Sequence, residues 1–426
     1  MIKEEIEFYL IDFIMCLSDI IDLISPAINN HHKRVAYIAL TIAEELNLSL
    51  TEQNEIMMAG ALHDIGALTL EQKLEFLEFE SESHEHGLLG YKLLKTFSPF
   101  AVIATLVRYH HVPWQHGLGA AFEGNPVPTG SHILHLADRV AVLINTQENI
   151  LTQADSICDR ISVLSGERFA PDLVDAFLSL ARKEFFWLDV VSPFIGTTLC
   201  NKARLPTLLL NLDGFVTVAK IISHIIDFRS RFTSTHSCGV AVTCRELSKL
   251  IGFSETESRM IEIAGYLHDL GKLAVPSDIL EKPARLTTVE FNLIRSHAFH
   301  TYRTLGRIRA LNIINAWASF HHERMDGNGY PFHYAANNLS LGARIVAIAD
   351  VFTALTEDRP YRKGMSSDDA IDTLEEMSGK STPTLDPYLV ATLKRHSGEI
   401  NGMRLAAQHA AAEEYHNFFL HDAGTC

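Results

Sequence analysis

The sequence has few cysteines, no excess of positive charge and no long uninterrupted apolar run. Its six cysteines form no C-x-x-C pair, which argues against a disulfide framework and against a thiolate metal site. With 36 basic and 52 acidic residues the formal net charge is −16, and this argues against binding to nucleic acid polymers, which depends on basic side chains. An anionic ligand must therefore meet a local cluster of basic groups.

The chain also lacks a run of the roughly 20 apolar residues that a membrane-spanning helix requires. Acidic residues interrupt the apolar segment 1–24, and the basic region and cleavage site of a signal peptide are missing from it. We expect segment 1–24 to form an amphipathic helix, and we expect no membrane span and a cytoplasmic location.

The most prominent feature of the sequence is an internal duplication. Two sets of seven residues follow one another in the same order: His31, His63, Asp64, His86, His110, His111 and Asp138, and then His236, His268, Asp269, His297, His321, His322 and Asp350. The offset is 205 residues up to the two His-Asp dipeptides, after which the second copy gains six residues. In both copies a histidine doublet then begins 24 positions after the third histidine. Such a match predicts two repeats of one structural unit.

Apolar residues in each copy recur with helical spacing, while alternating strand patterns are scarce. The sequence therefore predicts an all-α protein made of two tandem helical bundles that arose by duplication. We place the domains at residues 1–205 and 206–407, with the boundary near Leu205-Pro206 and a helix over residues 207–228. Residues 408–426 form a polar, histidine-rich tail to which no function is assigned.

The matched residues predict metal binding. A single histidine on an apolar helix is usually structural, but five histidines in register with two aspartates, twice over, are hard to explain by composition. Nitrogen and carboxylate ligands without thiolate suit two divalent first-row ions, such as iron or manganese, and Asp269 is placed to bridge them. Two adjacent ions can activate water and stabilise displacement at phosphorus. The chemistry indicated is phosphoester hydrolysis.

The second copy resembles the HD-GYP subfamily of the HD metal-dependent phosphohydrolases. The resemblance spans residues 225–400 and rests on spaced motifs: His268-Asp269-Leu270-Gly271-Lys272, His321-His322-Glu323, Asp326-Gly327-Asn328-Gly329-Tyr330-Pro331 and Arg359-Pro360-Tyr361-Arg362. It implies tandem HD bundles and a bacterial phosphodiesterase that opens cyclic di-GMP to a linear dinucleotide, with mononucleotide as a further product. It also implies that the second set of seven residues binds metal, that Asp269 and Lys272 are catalytic, and that Lys272, Tyr330, Arg359 and Arg362 contact the substrate.

Several positions depart from the subfamily pattern. Phe232 stands where some members have a glutamate and a third metal, which favours a two-metal site. Thr301, Thr353 and the segment after Pro331 also differ, and we expect these changes near the substrate rim. They leave the base preference open between cyclic di-GMP and 3′,3′-cyclic GMP-AMP.

The first copy keeps its seven candidate ligands but not the substrate groups. Ala67 stands where the second copy has Lys272, and the Gly-Tyr-Pro loop and the paired arginines are missing. Three interpretations remain: a metal-loaded regulatory or scaffold domain, a hydrolase of another phosphoester, and an empty structural remnant.

For the whole chain, the leading hypothesis is an enzyme. Two alternatives are a cyclic dinucleotide receptor that does not hydrolyse its ligand, and an HD hydrolase of another nucleotide. The sequence leaves open whether the chain forms a homodimer or binds a regulatory protein.

Overall fold

The computed structural model describes residues 5–22, 30–67, 84–203, 207–227, 235–282, 284–358, 362–379 and 381–419. Most of them are helical, which confirms the predicted all-α class. The chain divides into two compact units: an N-terminal unit, Tyr9–Thr207, and a C-terminal unit that combines Met1–Phe8 with Leu208–Cys426. The boundary predicted at Leu205-Pro206 and the substituted Phe232 lie outside the described residues.

In the described ranges four short strands accompany the helices: β1 Glu5–Tyr9, β2 Ala121–Phe122, β3 Asn125–Pro126 and β4 Thr207–Asn211. Strands β2 and β3 form an antiparallel hairpin, and β1 pairs with β4 although they lie far apart in the sequence. The predicted helices over residues 1–24 and 207–228 are therefore wrong at their N-terminal ends. In both places a strand precedes the helix. Local periodicity did not predict these strands, because they form by backbone pairing between segments that are distant in the sequence.

Ten helices form the described part of the N-terminal unit: α1 Leu10–Asp22, α2 His31–Glu45, α3 Leu50–Leu62, α4 Glu85–Leu94, α5 Ala101–Arg108, α6 Thr129–Val142, α7 Ile150–Val163, α8 Pro171–Ala181, α9 Glu184–Val190 and α10 Ile195–Lys202. The core lies between α2, α3 and α6, whose inner faces carry fully buried aliphatic residues such as Val35, Leu62 and Ile133.

The helices of the C-terminal unit follow the same order with additions: α11 Leu212–Asp227, α12 His236–Leu250, α13 Glu255–Leu267, α14 Ser277–Leu280, α15 Thr288–Leu305, α16 Asn312–Ser319, α17 Leu341–Thr356, α18 Ser367–Ser378, α19 Pro387–Arg395 and α20 Ser397–Phe419. Helix α20 passes through residue 408, where the sequence predicted the start of a separate tail. No helix in the described ranges is long and apolar enough to cross a lipid bilayer.

Both copies begin the helix before the His-Asp dipeptide in the same way. Ser49 caps α3 by accepting a hydrogen bond from the backbone N–H of Glu52, whose carboxylate accepts from the Ser49 N–H in return. Ser254 and Glu257 repeat this capping box at α13. A capping box satisfies N–H groups that lack partners inside the helix. It therefore fixes where each of these helices begins.

A glycine brings two helices unusually close in each copy. A Cβ atom at Gly60 would lie 2.8 Å from the Cα of Ala36, and one at Gly265 would lie 2.6 Å from the Cα of Ala241. Any side chain would push α3 away from α2, or α13 away from α12. Because these helices carry the first histidine and the His-Asp dipeptide of each set, the two glycines determine how closely those ligands approach.

Candidate metal centres

The seven candidate ligands of the C-terminal unit converge from five helices. His236 begins α12, His268 and Asp269 follow α13, His297 lies in α15, His321 and His322 follow α16, and Asp350 lies in α17. All of them except His322 are buried. Burying so many polar groups together is costly unless something satisfies them.

Asp269 lies at the middle of this cluster, and its two carboxylate oxygens face different imidazoles. Its Oδ2 atom lies 3.2 Å from Nε2 of His268 and 3.9 Å from Nε2 of His236. Its Oδ1 atom lies 3.4 Å from Nε2 of His297 and 3.9 Å from Nε2 of His321. A carboxylate arranged in this way can bridge two metal ions.

Asp350 completes one side of the cluster. Its Oδ1 atom lies 3.2 Å from Nε2 of His236 and 3.8 Å from Nε2 of His268, and its Oδ2 atom lies 4.0 Å from Nδ1 of His322. His236, His268 and Asp350 therefore form one possible ligand group. His297, His321 and His322 form another on the opposite side of Asp269.

Backbone carbonyl groups orient three of the imidazoles. The Nδ1 atom lies within hydrogen-bond distance of the carbonyl oxygen three residues earlier, at 2.7 Å for His268, 2.6 Å for His297 and 2.6 Å for His321. A carbonyl oxygen can only accept, so Nδ1 must carry the proton. The lone pair is then on Nε2, the atom that faces the cluster, as a metal ligand requires.

Burial also favours the ligand form of these groups. Burial, with His322 nearby, lowers the pKa of His297 to about 3, and burial lowers the pKa of His322 to about 4. Burial alone would raise the pKa of Asp269, but His268 and Lys272 hold the pKa of that carboxyl well below its usual range. Neutral imidazoles around an ionised carboxylate are what a divalent cation needs.

The residues fit a metal centre by a second observation. Among the described residues, Nε2 of His268 and Oδ1 of Asp269 are buried atoms without a hydrogen-bond partner. Buried polar atoms are nearly always satisfied in folded proteins. Nitrogen and oxygen donors without thiolate match divalent first-row metals.

The N-terminal unit assembles its own seven residues in the same way: His31, His63, Asp64, His86, His110, His111 and Asp138, all of them buried. Oδ2 of Asp64 lies 3.3 Å from Nε2 of His63, and Oδ1 lies 3.3 Å from Nε2 of His86 and 3.7 Å from Nε2 of His110. Asp64 thus has the position in this unit that Asp269 has in the other.

Comparison with known proteins places both units in one family. Residues 28–143 and residues 220–387 each match the HD domain family, and each segment contains one of the two sets of seven. The 3′3′-cGAMP-specific phosphodiesterase 1 of Vibrio cholerae serotype O1 is 30% identical over 401 residues, which cover 92% of each chain. The chain belongs to the HD-GYP family.

Other phosphodiesterases are also similar to this chain, over different shares of its length. The cyclic di-GMP phosphodiesterase PA4108 of Pseudomonas aeruginosa is 40% identical over 153 residues, 36% of this chain and 37% of that one. The crystal structure of a cyclic GMP-AMP specific phosphodiesterase of Vibrio cholerae, V-cGAP3, covers 92% of this chain and 98% of its own, with a TM-score of 0.63 and 22% identity. That structure shares the fold. The predicted tandem of two HD bundles is confirmed.

The HD-GYP loop after His322 is held by the acidic residue at its start, Glu323. The buried Glu323 carboxylate accepts hydrogen bonds from the backbone N–H groups of Phe332, at 2.6 Å, and Tyr334, at 2.9 Å. A Cβ at Gly329 would lie 2.4 Å from the backbone nitrogen of Arg324, so only glycine fits there. Glu323 and Gly329 therefore constrain the backbone path of the loop. Along this path the Tyr330 ring packs against the His322 ring, with ring centroids 4.8 Å apart.

The predicted substrate residues fall into different surroundings. Nζ of Lys272 lies 2.5 Å from Oδ2 of Asp269, and the Tyr330 ring packs beneath the guanidinium of Arg295. Arg362 donates to the carbonyl oxygens of Ala354 and Leu355 at the end of α17. Arg359 lies outside the described residues.

Two sequence departures predicted at the substrate rim are buried instead. Thr301 is fully buried; its hydroxyl accepts from the N–H of Gly271, at 2.9 Å, and donates to the carbonyl oxygen of His268, at 3.1 Å. Thr353 is fully buried within α17. The rim prediction is wrong for these two residues, because their distance from the surface depends on helix packing. Thr301 holds the turn that carries Asp269.

Sequence reasoning missed the groups behind His236. Nδ1 of His236 lies 2.8 Å from Oε2 of Glu357, and Gln408 donates to the other oxygen of that carboxylate. Arg404 in turn donates to the Gln408 side-chain oxygen at 2.7 Å. These residues lie 121 or more positions from His236 in the sequence, and no local pattern marks them. A carboxylate behind a ligating histidine fixes its ring and raises its basicity.

Proposed function

We propose that this cyclic dinucleotide phosphodiesterase hydrolyses 3′,3′-cyclic GMP-AMP in its C-terminal unit, giving a linear dinucleotide. The observation that carries the proposal is the placement of Asp269, with its two oxygens toward separate imidazole groups and Lys272 at its edge. The preference for the mixed ring is supported by the relative that matches 92% of the chain and is named specific for 3′3′-cGAMP.

The mechanism assigns a task to each group of residues. His236, His268, Asp269 and Asp350 would hold one divalent ion, and Asp269, His297, His321 and His322 a second; iron and manganese suit these donors. Such a pair supplies an activated water and neutralises charge on the phosphoryl oxygens. Backbone carbonyl groups direct the Nε2 atoms of His268, His297 and His321 at the site.

Lys272 and Tyr330 would position the phosphodiester. Lys272 is part-exposed and already lies beside Asp269, so its ammonium group can bind a phosphate oxygen next to the cluster. Tyr330 packs on His322, which is the most exposed candidate ligand, and would lie beside a phosphodiester bound there. A charged donor aimed at the reacting phosphate stabilises the transition state more than the ground state as negative charge develops.

The N-terminal unit lacks these positioning groups. Ala67 stands where the C-terminal unit has Lys272. All seven candidate ligands of the N-terminal unit are buried, and His111, which corresponds to the partly exposed His322, is only 3% exposed. A cyclic dinucleotide needs both access and a basic group. These features support assigning turnover to the C-terminal unit.

A direct test compares products and rates. Wild type and the Asp269→Ala and Asp64→Ala variants, purified anaerobically, are incubated with 3′,3′-cyclic GMP-AMP and with cyclic di-GMP, and products are separated chromatographically. We expect a higher kcat/KM for the mixed ring, loss of turnover in Asp269→Ala and retained turnover in Asp64→Ala. Full activity of Asp269→Ala would refute the assignment.

The same samples test the metal content and the base preference. We expect iron or manganese by elemental analysis, and less of it in Asp269→Ala than in wild type. A higher kcat/KM for cyclic di-GMP would favour the substrate named for the partial match from Pseudomonas aeruginosa. Binding of the ligand without any product would make the chain a receptor.

A further inference from the structure

The N-terminal unit has a buried histidine that has no counterpart in the C-terminal unit. His32 follows His31 at the start of α2, and its side chain is 1% exposed. Its Nδ1 atom pairs with a carboxylate oxygen of Asp22, the last residue of α1. The pair joins α1 to α2 and leaves the other ring nitrogen, Nε2, on the side of the metal-ligand cluster.

Nε2 of His32 points into that cluster. It lies 3.9 Å from Oδ2 of Asp64, the oxygen that also faces His63, and the His32 and His63 ring centroids are 5.2 Å apart. Among the described residues this buried nitrogen has no hydrogen-bond partner. An imidazole with one nitrogen on a carboxylate and the other directed at acidic and imidazole ligands has the arrangement of a metal-ligating histidine with its orienting partner.

In the C-terminal unit the equivalent contact between the two helices forms without a histidine. Ser237 takes the place of His32, and Asp227 that of Asp22. The Ser237 hydroxyl donates to Asp227 at 3.0 Å, and its N–H donates to the same carboxylate at 3.2 Å. The contact between the two helices therefore does not require an imidazole. The imidazole in the N-terminal unit adds one nitrogen donor to the cluster.

A second difference lies on the opposite side of the cluster. Oδ1 of Asp138 lies 3.1 Å from Nε2 of His31, while Oδ2 accepts a hydrogen bond from the buried guanidinium of Arg139 at 2.5 Å. The C-terminal unit has Val351 in place of Arg139. Only one oxygen of Asp138 therefore faces the cluster, because the other is bound by Arg139. The side of the cluster next to Asp138 is thus covered by the Arg139 side chain.

We propose that the N-terminal unit holds a divalent metal ion for which His32, oriented by Asp22, is an additional ligand. His31, His32, His63, Asp64 and Asp138 then supply five protein donors where the C-terminal unit supplies four. Extra protein donors leave fewer coordination positions for water and substrate, and closed sites of this kind are structural rather than catalytic. The metal of the N-terminal unit stabilises that unit and is retained more tightly than the metals of the C-terminal unit.

The test uses the full chain with both ligand groups of the C-terminal site removed by His268→Ala, Asp269→Ala and His321→Ala, so that Mn²⁺ reports on the N-terminal unit. His32→Ser and Asp22→Asn are added separately to this parent protein. We expect His32→Ser to weaken Mn²⁺ binding by at least about 100-fold and Asp22→Asn by about 10- to 100-fold, measured by titration with EPR detection. Pulsed EPR should also show fewer directly bonded nitrogen atoms in His32→Ser.

His32→Ser is the conservative change, because serine supports the equivalent helix contact in the other unit. Circular dichroism of the metal-free proteins checks that the fold is intact. If His32→Ser fails to fold, Asp22→Asn decides the matter, since it keeps the imidazole. Mn²⁺ affinity within about threefold of the parent protein, in whichever variant is folded, would overturn the proposal. The result is independent of the proposed function, which is measured on the other unit.

Discussion

At the scale of single residues, what separates a ligand from an ordinary buried histidine is the partner of its second nitrogen. In four histidines, Nδ1 lies 2.6–2.9 Å from the backbone carbonyl oxygen of the residue three positions earlier: His63, His110, His268 and His321. These histidines stand at or just after the last turn of a helix, where carbonyl groups have no helical partner. The helix end itself therefore orients the ligand, and the repeated spacing preserves this in both copies.

His236 uses a carboxylate for the same purpose, which leads to a prediction. Replacing Glu357 with glutamine keeps a side chain of the same size but removes the negative charge behind Nδ1 of His236. We expect metal affinity of the C-terminal unit to fall about 10- to 100-fold. Metal content after dialysis and the metal concentration needed for half-maximal turnover measure the change.

Glu375→Gln is the matched control for this prediction. Glu375 forms an exposed ion pair with Lys394 and belongs to α18, so its loss should leave the metal requirement unchanged. Equal metal requirements in Glu357→Gln and wild type would contradict the role given to Glu357.

At the scale of elements, the close approach of α12 and α13 brings His236 to His268 and Asp269. We predict that Gly265→Ala destabilises the C-terminal unit by about 1–3 kcal/mol, because the new methyl group would overlap the backbone of Ala241. For a unit of this size the melting temperature should fall by several degrees. Differential scanning calorimetry measures this.

Gly402→Ala in α20 is the appropriate comparison. A Cβ there meets no atom within 4 Å, and alanine is about 1 kcal/mol better than glycine in an exposed helix. We expect this variant to be as stable as wild type or more so. If both variants lowered the melting temperature equally, the effect would come from losing glycine and not from helix contact.

At the scale of the whole molecule, the two units share a ligand pattern but differ in access and in the groups around it. We predict that removing metal with a chelator destabilises both units, because their buried carboxylates lose the charge that balances them. Calorimetry with and without chelator should show lower unfolding temperatures after metal removal.

Single-site variants assign these changes to the units. In Asp64→Ala the metal-dependent shift should disappear from the N-terminal unit only, and in Asp269→Ala from the C-terminal unit only. A chelator effect that survives in full in the protein carrying both substitutions would show that it does not come from these clusters.

The sequence alone determined the all-α class, the duplication and the two sets of seven residues, because helical periodicity and ligand spacing are local properties that a chain carries in its order. It also indicated which copy keeps Lys272 and the Gly-Tyr-Pro loop. Only the tertiary structure brought Glu357 and Gln408 behind His236, buried Thr301 and Thr353, paired β1 with β4 and turned His32 toward Asp64. Each of these features depends on segments that are distant in the chain. Helix packing and backbone pairing bring those segments together, and the periodicity within one segment does not encode which segments will meet.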